Sequence, residues 1–267
     1  MGTPEKIIVI TGATGGIGIE ICKYLLLNNS ILLAACRNYQ KGEATRKEIE
    51  NATGKQSDGR LFFFPADLCS FRSVDSFTAQ IQEYLALKNS RIDILINNAG
   101  MIAPQFLLTP DGNESSLQVN YLSAKRLTET LVPYMALSGS KIINTLSCTV
   151  KIGKAIEQEK GIEQQQKEFI SLKNYSNSKR MLLQYTLELK KRLNGISVYG
   201  VDPGIVNTGI ITQHRWYDPL ANIFFRPFIK TPAQGAIPMI NAINYDTDAS
   251  SQLLLFKGNT TVVIPNK

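Results

Sequence analysis

The sequence predicts a single-domain α/β fold in which helices cover both faces of a doubly wound parallel sheet. Short apolar runs rich in β-branched residues alternate with longer amphipathic segments, the order produced when helices connect parallel strands. The apolar runs are nearly continuous rather than alternating, which indicates strands buried on both faces. No linker, change in composition or internal repeat divides residues 1–267, so we expect one domain.

Each element is predicted from the spacing of its apolar residues. Continuous apolar runs of strand length predict strands at residues 6–10, 31–36, 60–65, 92–97, 141–147 and 196–201. Amphipathic periodicity predicts helices at residues 16–28, 40–51, 70–88, 114–137 and 169–194. Two segments interrupt this order: 151–168, which is polar, and 205–229, which is irregular and rich in aromatic and aliphatic residues. Both follow predicted strand ends, where open α/β sheets bind ligands, so both are predicted to be substrate loops.

The composition excludes several classes of function. The chain has 29 Lys and Arg against 22 Asp and Glu, a net charge of +7, but the basic residues are dispersed, which favours a polyanionic small molecule over nucleic acid. The single histidine, His214, excludes a site built from several histidines, and the four cysteines form no C-x-x-C pair, so no metal is expected. No secretory leader pattern is found, and no apolar run approaches the ~20 residues of a membrane span. These observations predict a cytoplasmic protein with reduced cysteines.

A glycine-rich turn joins the first predicted strand to the first helix. Residues 11–18 read T-G-A-T-G-G-I-G, with glycines that permit a tight turn and a helix N-terminus that can face a pyrophosphate. Another glycine-rich turn would look similar, but the strand–turn–helix context favours a Rossmann-type dinucleotide site. The predicted contacts are Gly12, Thr14, Gly15, Gly16, Ile17 and Gly18.

The end of the second strand predicts which dinucleotide binds. Sites for NAD place an acidic residue there, whereas this chain has Cys36-Arg37-Asn38 and no Asp or Glu before Glu43. Arg37 can pair with a 2′-phosphate that a carboxylate would repel, so NADP(H) is predicted, with Arg37 and Asn38 as contacts. The alternative for Arg37 is a solvated surface side chain.

Two further strand ends carry candidate cofactor contacts. Asp67 and Leu68 follow the third strand, where the carboxylate could accept a hydrogen bond from the adenine amino group or could instead cap the next helix. Asn98, Ala99 and Gly100 follow the fourth strand, where small and amide residues suit a packed cofactor floor whose amides link neighbouring strands.

The candidate catalytic residues lie in the second half of the chain. Tyr175 and Lys179 are four residues apart on a predicted helix, so the phenol lies beside the ammonium, which is expected to lower its pKa and fit it for proton transfer. Ser147 ends the fifth strand, at the edge where substrate would meet cofactor. Asn120 is an amide among apolar residues; it is either a satisfied core amide or a residue whose carbonyl holds a water beside Lys179.

Taken together, these residues resemble the single-domain short-chain dehydrogenase/reductases. The motifs T-G-x-x-G-G-I-G, N-N-A-G and Y-x-x-x-K occur in order with Asn120 and Ser147. The resemblance implies that Tyr175 is the acid/base, that Lys179 lowers the pKa of the tyrosine and holds the nicotinamide ribose, and that Ser147 polarises the substrate carbonyl. It also implies that Asn120 supports a proton-relay water.

The resemblance extends to the region after the sixth strand and to one branch of the family. Pro203, Gly204, Val206 and Thr208 match the turn that contacts the nicotinamide end. Residues 35–38, residues 231–236 and the long interval from Ser147 to Tyr175 look most like the retinol-dehydrogenase-like branch. Thr14 stands where that branch usually has Asn, and Leu146 replaces the first serine of its Ser-Ser pair. The family also implies a homodimer or homotetramer that pairs helices 114–137 and 169–194.

The sequence therefore predicts an NADP(H)-dependent carbonyl reductase or alcohol dehydrogenase acting on an apolar or aromatic small molecule. Segment 205–229 is expected to close over that substrate, although its aromatic residues could instead form a subunit interface or a peripheral membrane contact. One alternative is a catalytically silent NADP(H)-binding regulator or scaffold of the same fold. Another is an extended-type epimerase, which the glycine spacing opposes.

Overall fold

The computed structural model describes residues 5–57, 59–154, 161–207, 229–246 and 252–264, which form a single-domain α/β fold. The strands in the described residues are β1 Ile7–Ile10, β2 Ile31–Cys36, β3 Leu61–Pro65, β4 Ile94–Asn97, β5 Ser140–Thr145, β6 Ile196–Asp202, β7 Leu253–Lys257 and β8 Thr260–Ile264. The helices are α1 Gly16–Leu27, α2 Tyr39–Thr53, α3 Phe71–Leu87, α4 Ser115–Leu117, α5 Ser123–Leu131, α6 Ile162–Lys167, α7 Ser171–Arg192 and α8 Pro232–Asn244.

The strands form one sheet in the order β3-β2-β1-β4-β5-β6-β7-β8. Strands β1 to β7 pair in parallel, and β8 pairs antiparallel with β7. The chain winds outward from β1 to β3 and then in the other direction from β4, so the order reverses between β1 and β4. Ligands of open α/β sheets bind at this point, beyond the carboxyl ends of the strands. The predicted doubly wound sheet is confirmed.

Two apolar layers cover the sheet, which confirms that the strands are buried on both faces. Along β1, Ile8 and Ile10 point into the layer beneath α1 and α8, whereas Ile7 and Val9 point into the layer beneath α3, α5 and α7. This alternation follows from the two-residue period of a strand. Among the described helices, none combines the length and the apolar character needed to cross a lipid bilayer.

Two parts of the fold differ from the sequence prediction. The helix expected over residues 114–137 is divided into α4, a π-helical turn at Gln118–Leu122, α5 and a 3₁₀ turn at Val132–Tyr134. The sequence did not predict α8, β7 or β8. Helix α8 contains Pro238, and the β8 residues Thr260–Ile264 are largely exposed, so neither shows a strong periodic signal. Strand β7 has a short apolar run like those of β1 and β4, and the prediction missed it.

The two predicted substrate loops are only partly described. The first, residues 151–168, begins at the end of a 3₁₀ turn, Cys148–Lys151, and contains helix α6, while residues 155–160 lie outside the described residues. Of the second, residues 208–228 lie outside the described residues, and these include His214 and Thr208. The described ends of that segment, at Val206 and Lys230, form a parallel bridge.

Candidate active site

The glycine turn after β1 is shaped by close backbone packing. Gly12 has φ +70°, and a Cβ added there would lie 2.8 Å from Ala99 Cα. A Cβ at Gly18 would lie 2.0 Å from the Gly12 carbonyl oxygen, so α1 can approach the turn this closely only because that position is glycine. The N-cap of α1, Gly15, has no side-chain cap in the described structure. The turn is therefore a backbone cradle at a helix N-terminus, which suits a phosphate group.

The side chain of Asn98 ties this cradle to the end of β4. Its Nδ2 donates to the carbonyl oxygens of Thr11 at 3.2 Å and of Gly12 at 3.3 Å. In return, Thr11 Oγ1 accepts hydrogen bonds from the backbone N–H groups of Asn98 and Ala99, both at 3.1 Å. The predicted amide link between strand ends is therefore present between β1 and β4, and the role of these residues as a cofactor floor stays a prediction.

A second amide link lies deeper, between β4 and β5. Asn97 Nδ2 donates to Asn144 Oδ1 at 2.8 Å and to Thr128 Oγ1 at 2.9 Å. Asn144 Nδ2 donates to Thr186 Oγ1 on α7 at 2.9 Å. All four side chains are buried. These hydrogen bonds therefore fix the ends of β4 and β5 to each other and to helices α5 and α7.

The nucleotide-selecting candidates lie at the exposed ends of β2 and β3. Arg37 is exposed, and Asn38 caps α2 by accepting from Lys41 N at 3.0 Å. Asp67 is also exposed, and its Oδ1 accepts from Cys69 N at 3.0 Å. Burial raises the pKa of Cys69 and Asp67 adds to the rise, whereas the nearby charge of Arg37 opposes it. Arg37 and Asp67 therefore share one corner of the sheet.

The residues after Asp67 settle the alternative for that carboxylate. The N-cap of α3 is Ser70, whose side chain accepts from Ser73 N at 3.3 Å, so the interpretation of Asp67 as the helix cap is wrong. Leu68 is half-buried, and its carbonyl oxygen accepts from Ser123 Oγ at 2.6 Å. Asp67 therefore lies exposed after β3 without capping α3, and its contact with an adenine stays a prediction.

Lys179 is buried next to Tyr175 on α7. Its side chain is 2% exposed, and Nζ donates to the Thr145 carbonyl oxygen at 2.7 Å. The same Nζ lies 5.9 Å from the centroid of the Tyr175 ring. Desolvation of the ammonium by burial lowers the pKa of Lys179 to about 8. The predicted pairing of the two side chains is present.

The pKa of Tyr175 is shifted in the direction opposite to the sequence expectation. Burial of the phenol raises the pKa of Tyr175, and a hydrogen bond with the Ser147 side chain lowers it in part. Negative charge at Cys148 or Asp202 adds to the rise. The net shift is upward because burial disfavours the phenolate, and Lys179 is not among the groups that shift this pKa, so its effect on the phenol stays a prediction. At neutral pH the phenol keeps its proton.

Ser147 and Asn120 complete the group. Ser147 is half-buried at the end of β5, and its Oγ accepts from Thr149 N at 3.3 Å and from Thr149 Oγ1 at 3.1 Å. Asn120 is 1% exposed and lies in the π-helical turn. Its Oδ1 accepts from Met101 N at 2.8 Å, and its Nδ2 donates to Met101 O and to Ser178 Oγ, both at 2.9 Å. The side chain is therefore a satisfied core amide, which leaves the main chain for any role with water.

The turn after β6 is built around a glycine with positive φ. Gly204 has φ +78°, and its N–H donates to Asp202 Oδ1 at 2.9 Å. Lys230 Nζ donates to the Pro203 carbonyl oxygen at 3.3 Å, and a Cβ at Gly204 would lie 3.1 Å from the same amine. Val206 is buried and in contact with α8. Asp202 and Lys230 were not identified from the sequence, because each is recognisable only by its contact with this turn.

Comparisons with known proteins agree with this architecture. A family model described as short chain dehydrogenase matches residues 6–158. Human (Homo sapiens) retinol dehydrogenase 11 is 33% identical over 236 residues, which cover 87% of this chain and 71% of that protein. Mouse (Mus musculus) retinol dehydrogenase 12 is 34% identical over 236 residues, with the same coverage of 87% and 71%.

Solved structures with low sequence identity share the fold. A short-chain dehydrogenase from Burkholderia cenocepacia J2315 in complex with NADP aligns with a TM-score of 0.69 at 22% identity, covering 95% of this chain and 96% of that one. Salutaridine reductase from Papaver somniferum aligns with a TM-score of 0.71 at 21% identity, covering 94% and 99%.

Proposed function

Because this chain belongs to the short-chain dehydrogenase family, in its retinol-dehydrogenase-like branch, we propose that it interconverts an alcohol and a carbonyl on an apolar or aromatic small molecule, with NADP(H) as cofactor. The observation that carries this proposal is the grouping of Tyr175, Ser147 and the buried amine of Lys179: Lys179 Nζ lies 5.9 Å from the centroid of the Tyr175 ring, and Ser147 is close enough to the phenol to lower its pKa. These three side chains lie at the carboxyl edge of the sheet, where ligands bind in open α/β folds.

The backbone cradle around Gly12 and Gly18 fits a dinucleotide, because a Cβ at either position would collide with backbone. The start of α1 would hold the pyrophosphate, and Arg37 would pair with the 2′-phosphate that distinguishes NADP(H) from NAD(H). The Asp67 carboxylate would accept a hydrogen bond from the adenine amino group, and the Pro203–Gly204 turn would contact the nicotinamide end of the cofactor. When bound, the nicotinamide supplies or accepts the hydride.

In carbonyl reduction, Ser147 Oγ would hold the substrate oxygen by a hydrogen bond, and the Tyr175 hydroxyl would donate a proton to it. The raised pKa of Tyr175 supports this direction, because the phenol keeps the proton that an acid must donate at neutral pH. Alcohol oxidation needs the phenolate as a base, so it is expected to need a higher pH. Lys179, held by the Thr145 carbonyl, would orient the ribose and return a proton to the phenol.

An apolar substrate is supported by exposed aliphatic side chains near the same edge. Ile152 is 65% exposed five positions after Ser147, Ile170 is 58% exposed at the N-cap of α7, and Ile205 is 45% exposed after the Gly204 turn. The relatives named retinol dehydrogenase act on an apolar alcohol by their names. We extend this substrate class to the present chain.

The test is NADPH oxidation by the full chain against a panel of small, aromatic and long-chain carbonyls that includes retinal, with the alcohol product identified. We expect consumption of NADPH to match formation of alcohol, with the highest kcat/KM for an apolar aldehyde or ketone. Tight NADPH binding without turnover on any member of the panel would favour the silent regulator instead.

The cellular location and the subunit number are also proposed from the sequence. We propose that the protein works in the cytoplasm and pairs α5 and α7 between subunits as a homodimer or homotetramer. Sedimentation equilibrium of the purified chain measures the subunit number directly, and a monomer at micromolar concentration would contradict the second part.

A further inference from the structure

We infer that Ser178, which no motif role covers, is a positioning residue for the proposed reaction: its hydroxyl joins the amide of Asn120 to the main chain of Tyr175. The inference rests on the proposed function, since it assigns Ser178 an effect on the reaction rate through Tyr175 and Lys179. Ser178 itself is 0% exposed, so it is not expected to touch substrate.

The hydroxyl of Ser178 is used in two directions. It accepts from Asn120 Nδ2 at 2.9 Å, and it donates to the Tyr175 carbonyl oxygen at 2.7 Å. Asn120 Nδ2 uses its other hydrogen on the Met101 carbonyl at 2.9 Å, and Asn120 Oδ1 accepts from Met101 N at 2.8 Å. A continuous chain of hydrogen bonds therefore runs from the segment after β4, through the amide and the hydroxyl, to the catalytic helix.

This chain of hydrogen bonds passes through the backbone that surrounds the reacting groups. A Cβ at Gly100 would lie 3.4 Å from both Asn120 Oδ1 and Lys179 Nζ, so the amide and the amine face the same glycine. Ser178 immediately precedes Lys179 and follows Tyr175 by one helical turn. Its link to Asn120 therefore sets how α7 sits against the end of β4, and with it the placement of the phenol and the amine.

The π-helical turn at Gln118–Leu122 is explained by the same link. A π turn interrupts a helix and often occurs at functional sites. Asn120 lies in the middle of this turn, where its side chain meets Met101 and Ser178 together. Without the Ser178 hydroxyl, one N–H of a buried amide has no acceptor, and the amide is expected to rotate or shift to find one.

The helix itself provides a matched control. Ser176 is also 0% exposed on α7, and its hydroxyl also donates to a carbonyl one turn earlier, Leu172 O, at 2.7 Å. Ser176→Ala and Ser178→Ala therefore each remove one buried hydroxyl and one hydrogen bond from a serine side chain to the helix backbone. Only Ser178→Ala removes the acceptor of Asn120.

The experiment measures kcat, KM for NADPH, the pH profile of kcat and Tm for wild type and both variants, with the best carbonyl of the panel. We expect Ser178→Ala to lower kcat at least about tenfold and to shift the apparent pKa of the kcat profile, because small misplacements of reacting groups have effects of this size. KM for NADPH should stay within about twofold, since the cradle at Gly12 and Gly18 is untouched. Both variants should have a lower Tm than wild type by a similar amount. Ser176→Ala should keep the wild-type kcat and the wild-type pH profile of kcat.

A second pair controls for packing. Ser178→Thr keeps the hydroxyl and Ser178→Val removes it at nearly the same volume, so the threonine variant should have the higher kcat and the wild-type profile. Equal kcat and equal profiles within both pairs, in an active wild type, would overturn the role of Ser178. An inactive wild type would instead count against the proposed function.

Discussion

The two ends of the candidate site are built differently. At the chemical end, Asn120 and Lys179 are buried, and their side chains are held by Met101, Ser178 and Thr145. At the proposed nucleotide end, Arg37 and Asp67 are exposed at strand ends. The geometry of the first end is therefore set by the interior of the protein, whereas the side chains of the second face solvent.

This difference predicts whether a substitution changes stability, reaction rate or ligand preference. A buried group with a full set of hydrogen bonds contributes to both stability and rate, because its loss leaves partners unsatisfied. An exposed charged side chain contributes little to stability and can change ligand preference alone.

Lys179→Met should lower kcat by about 10²-fold or more, because proton transfer by positioned groups contributes about 10²–10⁴-fold. The variant also loses the hydrogen bond to the Thr145 carbonyl, so its Tm should fall. The matched control is Lys173→Met, which removes an exposed lysine from the same helix and should leave kcat unchanged. Steady-state kinetics and thermal melts check both, and equal activity of the two variants would remove Lys179 from the mechanism.

Gly18→Ala should weaken NADPH binding at least about tenfold, equivalent to about 1.4 kcal/mol. The added Cβ would lie 2.0 Å from the Gly12 carbonyl, so α1 must move away from the turn. Gly161→Ala is the control, because a Cβ there has no neighbour within 4 Å in the described structure. Titration of NADPH fluorescence measures both dissociation constants, and unchanged binding by Gly18→Ala would contradict the cradle.

Arg37→Asp should reverse the preference for NADPH over NADH, with a change of about 10- to 100-fold in the ratio of kcat/KM values, since charge-assisted pairs contribute about 1.5–3 kcal/mol. Stability should be almost unchanged, because Arg37 is exposed. Arg72→Asp makes the same charge change at another exposed site and should leave the ratio as it is. A ratio that does not move in Arg37→Asp would favour the solvated surface side chain.

A buried lysine at the opposite edge of the sheet is expected to affect the stability of the fold rather than the candidate site. Lys141 Nζ donates to the carbonyl oxygens of Ile243 and Tyr245 at the end of α8, and burial lowers its pKa to about 8. Between pH 8 and the usual lysine pKa of 10.5, the unfolded chain binds more protons at this lysine than the folded chain, so the free energy of unfolding should rise with pH. Lys141→Met should reduce this rise, measured by urea denaturation at the two ends of the window. A rise of equal size in the variant would contradict the low pKa.

Much of the fold can be predicted from local sequence patterns, namely apolar runs and the spacing of glycines. Continuous apolar runs predicted β1 to β6. The spacing of the glycines predicted the turn after β1, and the structure shows that a Cβ added at Gly12 or Gly18 would collide with backbone. The π-helical turn was not predicted, because the apolar spacing of residues 114–137 is that of a continuous helix, and the bonds of Asn120 to Met101 and Ser178 join residues far apart in sequence. The roles predicted for the site residues stay predictions, and the burial of Lys179 could not be read from its sequence neighbours.

The direction of the Tyr175 pKa shows what such patterns leave out. Spacing alone places an ammonium beside a phenol and suggests a lowered pKa, whereas the burial of both groups reverses the sign for the tyrosine. Burial depends on the packing of α7 against the ends of β4 and β5, which involves residues far apart in sequence. The same limit applies to Ser178, whose partner lies 58 positions away.

The most direct test of the proposed mechanism compares Tyr175→Phe with wild type at neutral pH, measuring NADPH-driven reduction of the best carbonyl together with NADPH binding by fluorescence. If the Tyr175 hydroxyl is the acid, turnover should fall by about 10²–10⁴-fold while the dissociation constant for NADPH stays within about twofold. A phenylalanine variant that reduces the carbonyl at the wild-type rate would contradict the mechanism.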